Sequence, residues 1–326
     1  MRRIIRAFSP SKIILFGEHA VVYGYPAIAM ALNLGTRVTL KESPERSMKI
    51  LSENYNIEWN VFNEEPPPIF KPFKRIIDVI AKKFPKKVNA LKGIEIHIST
   101  QAPAASGLGT SASTAVAFTA AVLKYLGISL SANLINEIAY EAEKVSHGRP
   151  SGIDNYIATY GGVIKFTRSE EGPRIERLNV ENELPLLLVY TGVERKTKEA
   201  VEYVAELRKK LPSFIDGIFD IIGEISERVW NMFKNRNMDL EMLGNLMNIN
   251  QGLLSAIGVS SEEIEKVVFA LRKAGAIGAK LTGAGIGGCV IALFKDWSKA
   301  INAKERIQRD YLCLIAKPQN RGVYVE

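Results

Sequence analysis

Residues able to do chemistry gather in three stretches of the chain. The first is Pro103-Ala104-Ala105-Ser106-Gly107-Leu108-Gly109-Thr110-Ser111-Ala112-Ser113, which lies between an alternating strand pattern and an apolar helix pattern. Glycines there let the backbone turn tightly and approach a ligand with no Cβ in the way. Free N–H groups and the positive end of a helix dipole then face an anion. The stretch reads as a phosphate cradle, with the Thr110 and Ser111 hydroxyls as further donors or a magnesium ligand. It ends without Gly-Lys-Ser/Thr and lacks a third glycine, so it is neither a Walker loop nor a dinucleotide fingerprint. Taken alone, it also reads as a tight packing turn.

The second stretch, Lys280-Leu281-Thr282-Gly283-Ala284-Gly285-Ile286-Gly287-Gly288, runs into a strand. Its use is therefore close backbone approach and not a helix dipole, a flexible connector being the alternative. The third group consists of carboxylates and cations. Glu143 lies four residues before His147, and the chain continues Gly148-Arg149-Pro150-Ser151-Gly152-Ile153-Asp154-Asn155. An aspartate presented by a glycine turn can orient or deprotonate a hydroxyl, and a separate glutamate can hold magnesium. Asp154 also reads as a turn or cap residue, and Glu143 as part of a solvated helix face. Lys12 sits among apolar strand residues, with Glu18 and His19 in the loop that follows. If Lys12 is desolvated beside Asp154, its charge favours the alkoxide form of a substrate hydroxyl; otherwise it is a snorkelling surface lysine. None of the three histidines has the pair spacing of a zinc site.

These groups need a scaffold. Residues 3–8 and 12–16 read as two short strands, followed by a glycine-punctuated loop over 17–26. A proline-rich connection over 63–72 leads into a helix carrying Ile76, Ile77, Val79, Ile80 and Phe84. Residues 93–100 alternate, with Ile94, Ile96 and Ile98 inward and His97 on the solvent side. A buried helix over 110–126 stops at Gly127, a second helix covers 131–146, and a strand follows at 162–166. Beyond an apolar strand at 184–190, helices are predicted over 196–211, 213–235, 239–257 and 261–274, the last with Ser260 and Glu263 as a capping box. A glycine loop over 275–288, a strand at 289–294, a helix at 298–309 and a strand at 312–317 complete the chain. The change of character near residue 185 divides it into domains 1–184 and 185–326, and no solenoid repeat is visible.

With 326 residues, 47% of them hydrophobic and 24% charged, the chain has enough apolar surface to fold, at a length suited to about two domains. No uncharged apolar run reaches the roughly 20 residues of a membrane helix. The basic start, Met1-Arg2-Arg3, is not followed by a long apolar segment, so a cytoplasmic protein off the membrane is expected. Cys289 and Cys313 each lie in an apolar run and read as small buried hydrophobes. A net charge of +8 attracts nucleotides or nucleic acid. The basic residues are interspersed with acids along helical patterns, however, so no nucleic-acid partner is expected.

Taken in order, Ser9-Pro10-Ser11-Lys12-Ile13-Ile14-Leu15-Phe16-Gly17-Glu18-His19-Ala20-Val21-Val22-Tyr23-Gly24, residues 103–113 and residues 280–289 resemble the motifs of the GHMP small-molecule kinases. The first motif, with residues 147–155 and 250–259, is similar to the mevalonate-kinase branch. The likeness covers most of the chain and is weaker over 40–90 and 165–240. It implies an α+β fold, with an N-terminal domain like ribosomal protein S5 domain 2 and a C-terminal ferredoxin-like domain with extra helices. The active site would lie between them. The implied reaction is ATP-dependent phosphorylation of the C5 hydroxyl of (R)-mevalonate, giving 5-phosphomevalonate and ADP on the mevalonate route to isoprenoids.

The resemblance also implies roles. ATP would lie on Pro103, Ala104, Ala105, Ser106, Gly107, Leu108, Gly109, Thr110 and Ser111, with Gly283, Ala284 and Gly285 opposite. Ser111 and Glu143 would hold Mg2+, and Glu18, His19, Arg195 and Thr197 would place mevalonate. Asp154 would be the base or hydroxyl-orienting group, with Lys12 favouring ionisation. Arg195 suits a carboxylate because a guanidinium binds one through two parallel hydrogen bonds, a surface arginine being the alternative. The partner is then a small molecule, and a homodimer is compatible with the family. Ser11 stands where the family commonly has glycine, and Gly-Thr110-Ser111 where it commonly has Gly-Ser-Ser. Rival readings are another kinase of the superfamily and a ligand sensor without turnover; the presence of both Asp154 and Lys12 argues against the sensor.

Overall fold

The first strand, β1 (Ile4–Phe16), pairs antiparallel with β2 (Ala27–Glu42) along almost its whole length. The two short strands expected at 3–8 and 12–16 are thus one. Ser9-Pro10-Ser11 reads as a break because proline cannot donate to a ladder, and the chain solves this with a register shift between Pro10 and Ser11. Strand β2 has no clean alternation, being interrupted by Asn33 and Gly35, and this hides it from a pattern search. The computed structural model describes residues 3–103, 106–148, 150–169 and 172–326.

Strands β3 (Met48–Ser52), β4 (Ile57–Asn60), β5 (Ile94–Thr100), β6 (Val163–Ser169), β7 (Gly172–Leu178) and β12 (Tyr324–Val325) complete the first sheet, ordered β12-β1-β2-β5-β3-β4, with β6 joining β2 to β7. Helices α1 (Lys71–Lys83), α2 (Thr110–Tyr125) and α3 (Ala132–His147) share a core with this sheet, built from Trp59, Phe70, Phe118 and the three isoleucines of β5. His97 is half-buried and bonded to Glu95, and so less solvent-facing than the alternation suggests. The segment before β6 contains a short helix, α4 (Ile153–Tyr160), which begins at the left-handed Gly152 and carries Asp154 in its first turn.

The second sheet comprises β8 (Leu186–Tyr190), β9 (Gly278–Thr282), β10 (Cys289–Leu293) and β11 (Leu312–Ala316), in the order β11-β8-β10-β9. Counted along the chain this is 4-1-3-2, the ferredoxin-like arrangement, with α9 (Trp297–Ile307) in its second crossover. The first crossover is enlarged to four helices: α5 (Thr197–Lys210), α6 (Pro212–Lys234), α7 (Leu240–Ala256) and α8 (Glu262–Lys273). Their ends fall within two residues of the periodicity, except that Ser261 and not Ser260 occupies the N-cap of α8. The Ser260 hydroxyl instead accepts from Gln251. The glycine loop expected over 275–288 is shorter, because its first half forms β9.

A second cluster of apolar residues joins the two halves: Ile13, Leu15 and Met30 of the first sheet pack with Leu186, Leu188 and Ile291 of the second and with Trp230 and Met247. Residues after β11 return to the first sheet, where Leu32 bridges Pro318 and β12 pairs with β1. A shared apolar interface of this kind holds two units in one arrangement. Both cysteines are buried, and burial pushes their thiols up to about 12 at Cys289 and about 11 at Cys313, so each is a packed neutral side chain. Among the described residues no helix is long and apolar enough to cross a membrane.

Candidate active site

Helix α2 starts at Gly109, whose φ of 71° is left-handed, and no side chain caps its first turn. Uncapped N–H groups at the positive end of a 16-residue helix can receive an anion. Thr36 of β2 fixes this end by bonding to Ser113 at 2.9 Å and to Thr114 at 3.0 Å. The glycines are required by what lies behind them. A Cβ at Gly109 would sit 3.0 Å from Lys12 Cγ, and one at Gly107 would sit 3.0 Å from Arg195 Nη1.

Lys12 is buried in β1, its N–H bonded to Leu108 O at 2.8 Å. Its Nζ lies 3.1 Å from Asp154 Oδ1, and the aspartate side chain remains 36% exposed. Asp154 is held because its neighbour Asn155 donates to both oxygens of Asn136 on α3, at 3.0 and 3.3 Å. The arrangement is a buried cation behind a carboxylate that still faces open space. An incoming hydroxyl can meet that carboxylate.

The Ser111 hydroxyl donates to Glu143 Oε1 at 2.7 Å, joining α2 to α3 beside the anion site. Among the described residues no three His, Cys, Asp or Glu side chains converge as a metal cluster. A hydroxyl and one carboxylate fit a magnesium ion that keeps waters and nucleotide phosphate oxygens as its other ligands.

Arg195 precedes α5 and reaches toward both glycine turns, since a Cβ at Gly283 would also lie 3.0 Å from its Nη1. Burial pushes the guanidinium below its ordinary value, and the charge of Asp154 opposes the shift, leaving a charged group directed at the site. Thr197 begins α5 on the same cavity wall. Gly283, Ala284 and Gly285 do not line that cavity, although they are expected on ATP. The turn is folded down onto the second unit: Ile286 N–H donates to Val259 O at 2.9 Å, and a Cβ at Gly285 would lie 2.2 Å from that oxygen.

Glu18 and His19, expected on mevalonate, are also off the cavity wall. Both Glu18 oxygens are engaged, one by Lys280 and the other by Asn250 Nδ2 at 3.2 Å, and the side chain is 1% exposed. His19 Nε2 lies 2.8 Å from Ala284 O. A carbonyl only accepts, so Nε2 carries the proton and Nδ1 is the acceptor in the neutral ring. Burial lowers the imidazole below its ordinary 6.5, opposed by the Ala284 bond and the Glu18 charge, which favours that neutral ring.

One cavity of about 600 Å³ unites Gly107, Gly109, Thr110, Ser111, Glu143, Asp154, Arg195 and Thr197. Ser106 and Leu108 point inward, Ser106 donating to Pro103 O at 2.6 Å, so these positions offer backbone only. Ala104 and Ala105, the His147 side chain and Arg149 lie outside the described residues. The far wall, with Asn54, Tyr55, Ile69 and Phe73, comes from the stretch that sequence reasoning left without a role. Tyr55, an exposed aromatic beside the Asn54 turn, was the available signal.

Residues 72–162 match the family described as GHMP kinases N terminal domain, and residues 231–312 that described as GHMP kinases C terminal. The mevalonate kinase of Thermococcus gammatolerans is 36% identical over 304 residues, covering 89% of each chain. That of Pyrococcus horikoshii is 35% identical over 341 residues, covering 100% of this chain and 99% of its own. The crystal structure of L. major mevalonate kinase in complex with R-mevalonate superposes with a TM-score of 0.83 at 27% identity, covering 99% of this chain and 97% of that one.

Proposed function

The chain belongs to the mevalonate kinases of the GHMP family, and from that premise we propose that Asp154 receives the C5 hydroxyl of (R)-mevalonate for transfer of the γ-phosphoryl group of ATP. The enzyme is an ATP-dependent kinase of mevalonate on the route to isoprenoids, and its fold is that of the GHMP kinases. The observation that carries the site assignment is the Lys12–Asp154 pair, 3.1 Å apart beside the uncapped start of α2.

The triphosphate lies along residues 107–111, where backbone N–H groups and the helix dipole meet its charge. The apolar lining residues Tyr55, Ile69 and Phe73 suit the purine. Ser111 and Glu143 would hold Mg2+, which would supply charge neutralisation on the phosphates. The acceptor carboxylate meets Arg195, and Thr197 borders it. Asp154 accepts a hydrogen bond from the C5 hydroxyl, aligning its oxygen with the γ-phosphorus, and takes the proton as the new O–P bond forms and the bond to the β-phosphate oxygen breaks. Lys12 lies next to that carboxylate and favours charge on the attacking oxygen.

The test is ADP release with ATP, Mg2+ and mevalonate, with the product identified by phosphorus NMR. Phosphate on the C5 oxygen, and its loss in Asp154→Ala with ATP binding intact, is the expected result. No turnover by folded, ATP-binding protein would overturn the acceptor assignment.

A further inference from the structure

Away from the cavity, a fully buried charged pair crosses between the two halves of the molecule. Lys280, in β9, is fully buried; its Nζ bonds to Glu18 Oε1 and donates to Leu281 O at 2.6 Å. Phe16 packs against the same amine. On either side of the pair the same two segments are joined again. Thr282 Oγ1 donates to Ile14 O at 2.8 Å and accepts from Ile14 N–H at 3.0 Å, and His19 Nε2 donates to Ala284 O at 2.8 Å. Residues 14, 18 and 19 thus meet 282, 280 and 284 along one seam.

Stability alone is a weak reason for such a pair. Desolvating two charges offsets most of their attraction, and an apolar replacement of similar volume is often as stable. Burial pulls the Lys280 amine below the usual lysine value, with Glu18 opposing it, so the amine depends on Glu18 for its charge. What the seam does control is conformation. Gly17 and His19 have φ of 93° and 61°, and a non-glycine residue stays in that region only when its surroundings hold it.

We propose that Glu18 and Lys280 are positioning residues, which set His19 against the 283–285 turn across the two halves of the enzyme, and that Glu18 does not touch the acceptor. This rests on the reading above, in which Arg195, packed against Gly283 of that turn, meets the acceptor carboxylate.

The test compares wild type, Lys280→Met, Glu18→Gln and the double variant by thermal unfolding, by steady-state kinetics and by the imidazole resonances of the three histidines, with His19 assigned through His19→Gln. The single variants lose stability, each leaving one buried group without its partner, and the double variant recovers it. In the double variant kcat/KM for mevalonate stays down by about a hundredfold through a raised acceptor KM, the KM for ATP holds, and the His19 resonance moves. If the double variant matches wild type in kinetics and in the His19 resonance, the pair is only structural and the proposal falls. It also falls if Lys280→Met is fully active while Glu18→Gln is not, because Glu18 then acts on the acceptor itself. If wild type does not phosphorylate mevalonate, the functional reading fails separately, and the His19 resonance of the folded double variant decides the pair by moving or staying.

Discussion

The Lys12 amine and the Asp154 carboxylate stand 3.1 Å apart at the junction of a buried strand and an exposed helix start, the lysine side chain 6% exposed and the aspartate 36%. This asymmetry separates their roles. A buried cation has no access to bulk solvent and acts through its field, whereas a partly open carboxylate can take a proton from an incoming hydroxyl. The pair also links the phosphate loop to the acceptor side, because the Lys12 stem passes directly beneath Gly109.

Replacing Asp154 by Asn removes the proton acceptor and keeps the shape. We expect kcat to fall by about 10²- to 10⁴-fold, with the KM for ATP little changed, measured by steady-state ADP release. A kcat within a few-fold of wild type would mean that Asp154 is not the group that receives the hydroxyl.

Ser111→Ala and Glu143→Gln each remove one proposed magnesium donor. The expected outcome is a rise in the Mg2+ concentration for half-maximal rate on the order of tenfold or more, read from a metal titration at fixed ATP. The two substitutions should not simply add, since the side chains bond to each other at 2.7 Å.

Gly109→Ala forces a side chain onto a φ of 71° and to within 3.0 Å of Lys12 Cγ. The backbone strain alone costs about 1–2 kcal/mol, to be seen as a lower midpoint in urea unfolding. Because the displaced group is Lys12, kcat should fall with stability. A variant with lower stability and unchanged kcat would show that the contact is only steric.

His19 contributes a pH dependence of definite sign. Burial lowers its folded value below the ordinary 6.5, so near that pH the unfolded chain binds the proton more readily. Its stability contribution is fully present above pH 6.5 and is lost as pH falls from there toward the folded value. Urea unfolding from pH 8 to pH 5 should show this decline. His19→Gln should flatten that part of the profile.

Much of the architecture was legible because it is local. Helices α2 and α5 to α9 declare themselves through apolar spacing and stop signals, relations between residues a few positions apart, and the glycine turn before α2 reads from its composition as a phosphate cradle or a tight packing turn. Asp154, Lys12, Ser111 and Glu143 could be singled out as residue types with suitable chemistry, and their order in the chain carried the family likeness. The tertiary structure decided where those groups point. It merged two apparent strands into β1 by absorbing Pro10 in a register shift, turned the Gly283–Gly285 stretch away from the cavity, and brought Tyr55 and Phe73 to its far wall. It also paired Glu18 with Lys280, 262 positions away in the chain. The sequence by itself determined the chemistry available and the elements that carry it, because propensity and periodicity act over a few residues. Which carboxylate stays open to the cavity and which is closed off against Lys280 depends on packing between distant segments, and only the folded chain brings those segments together.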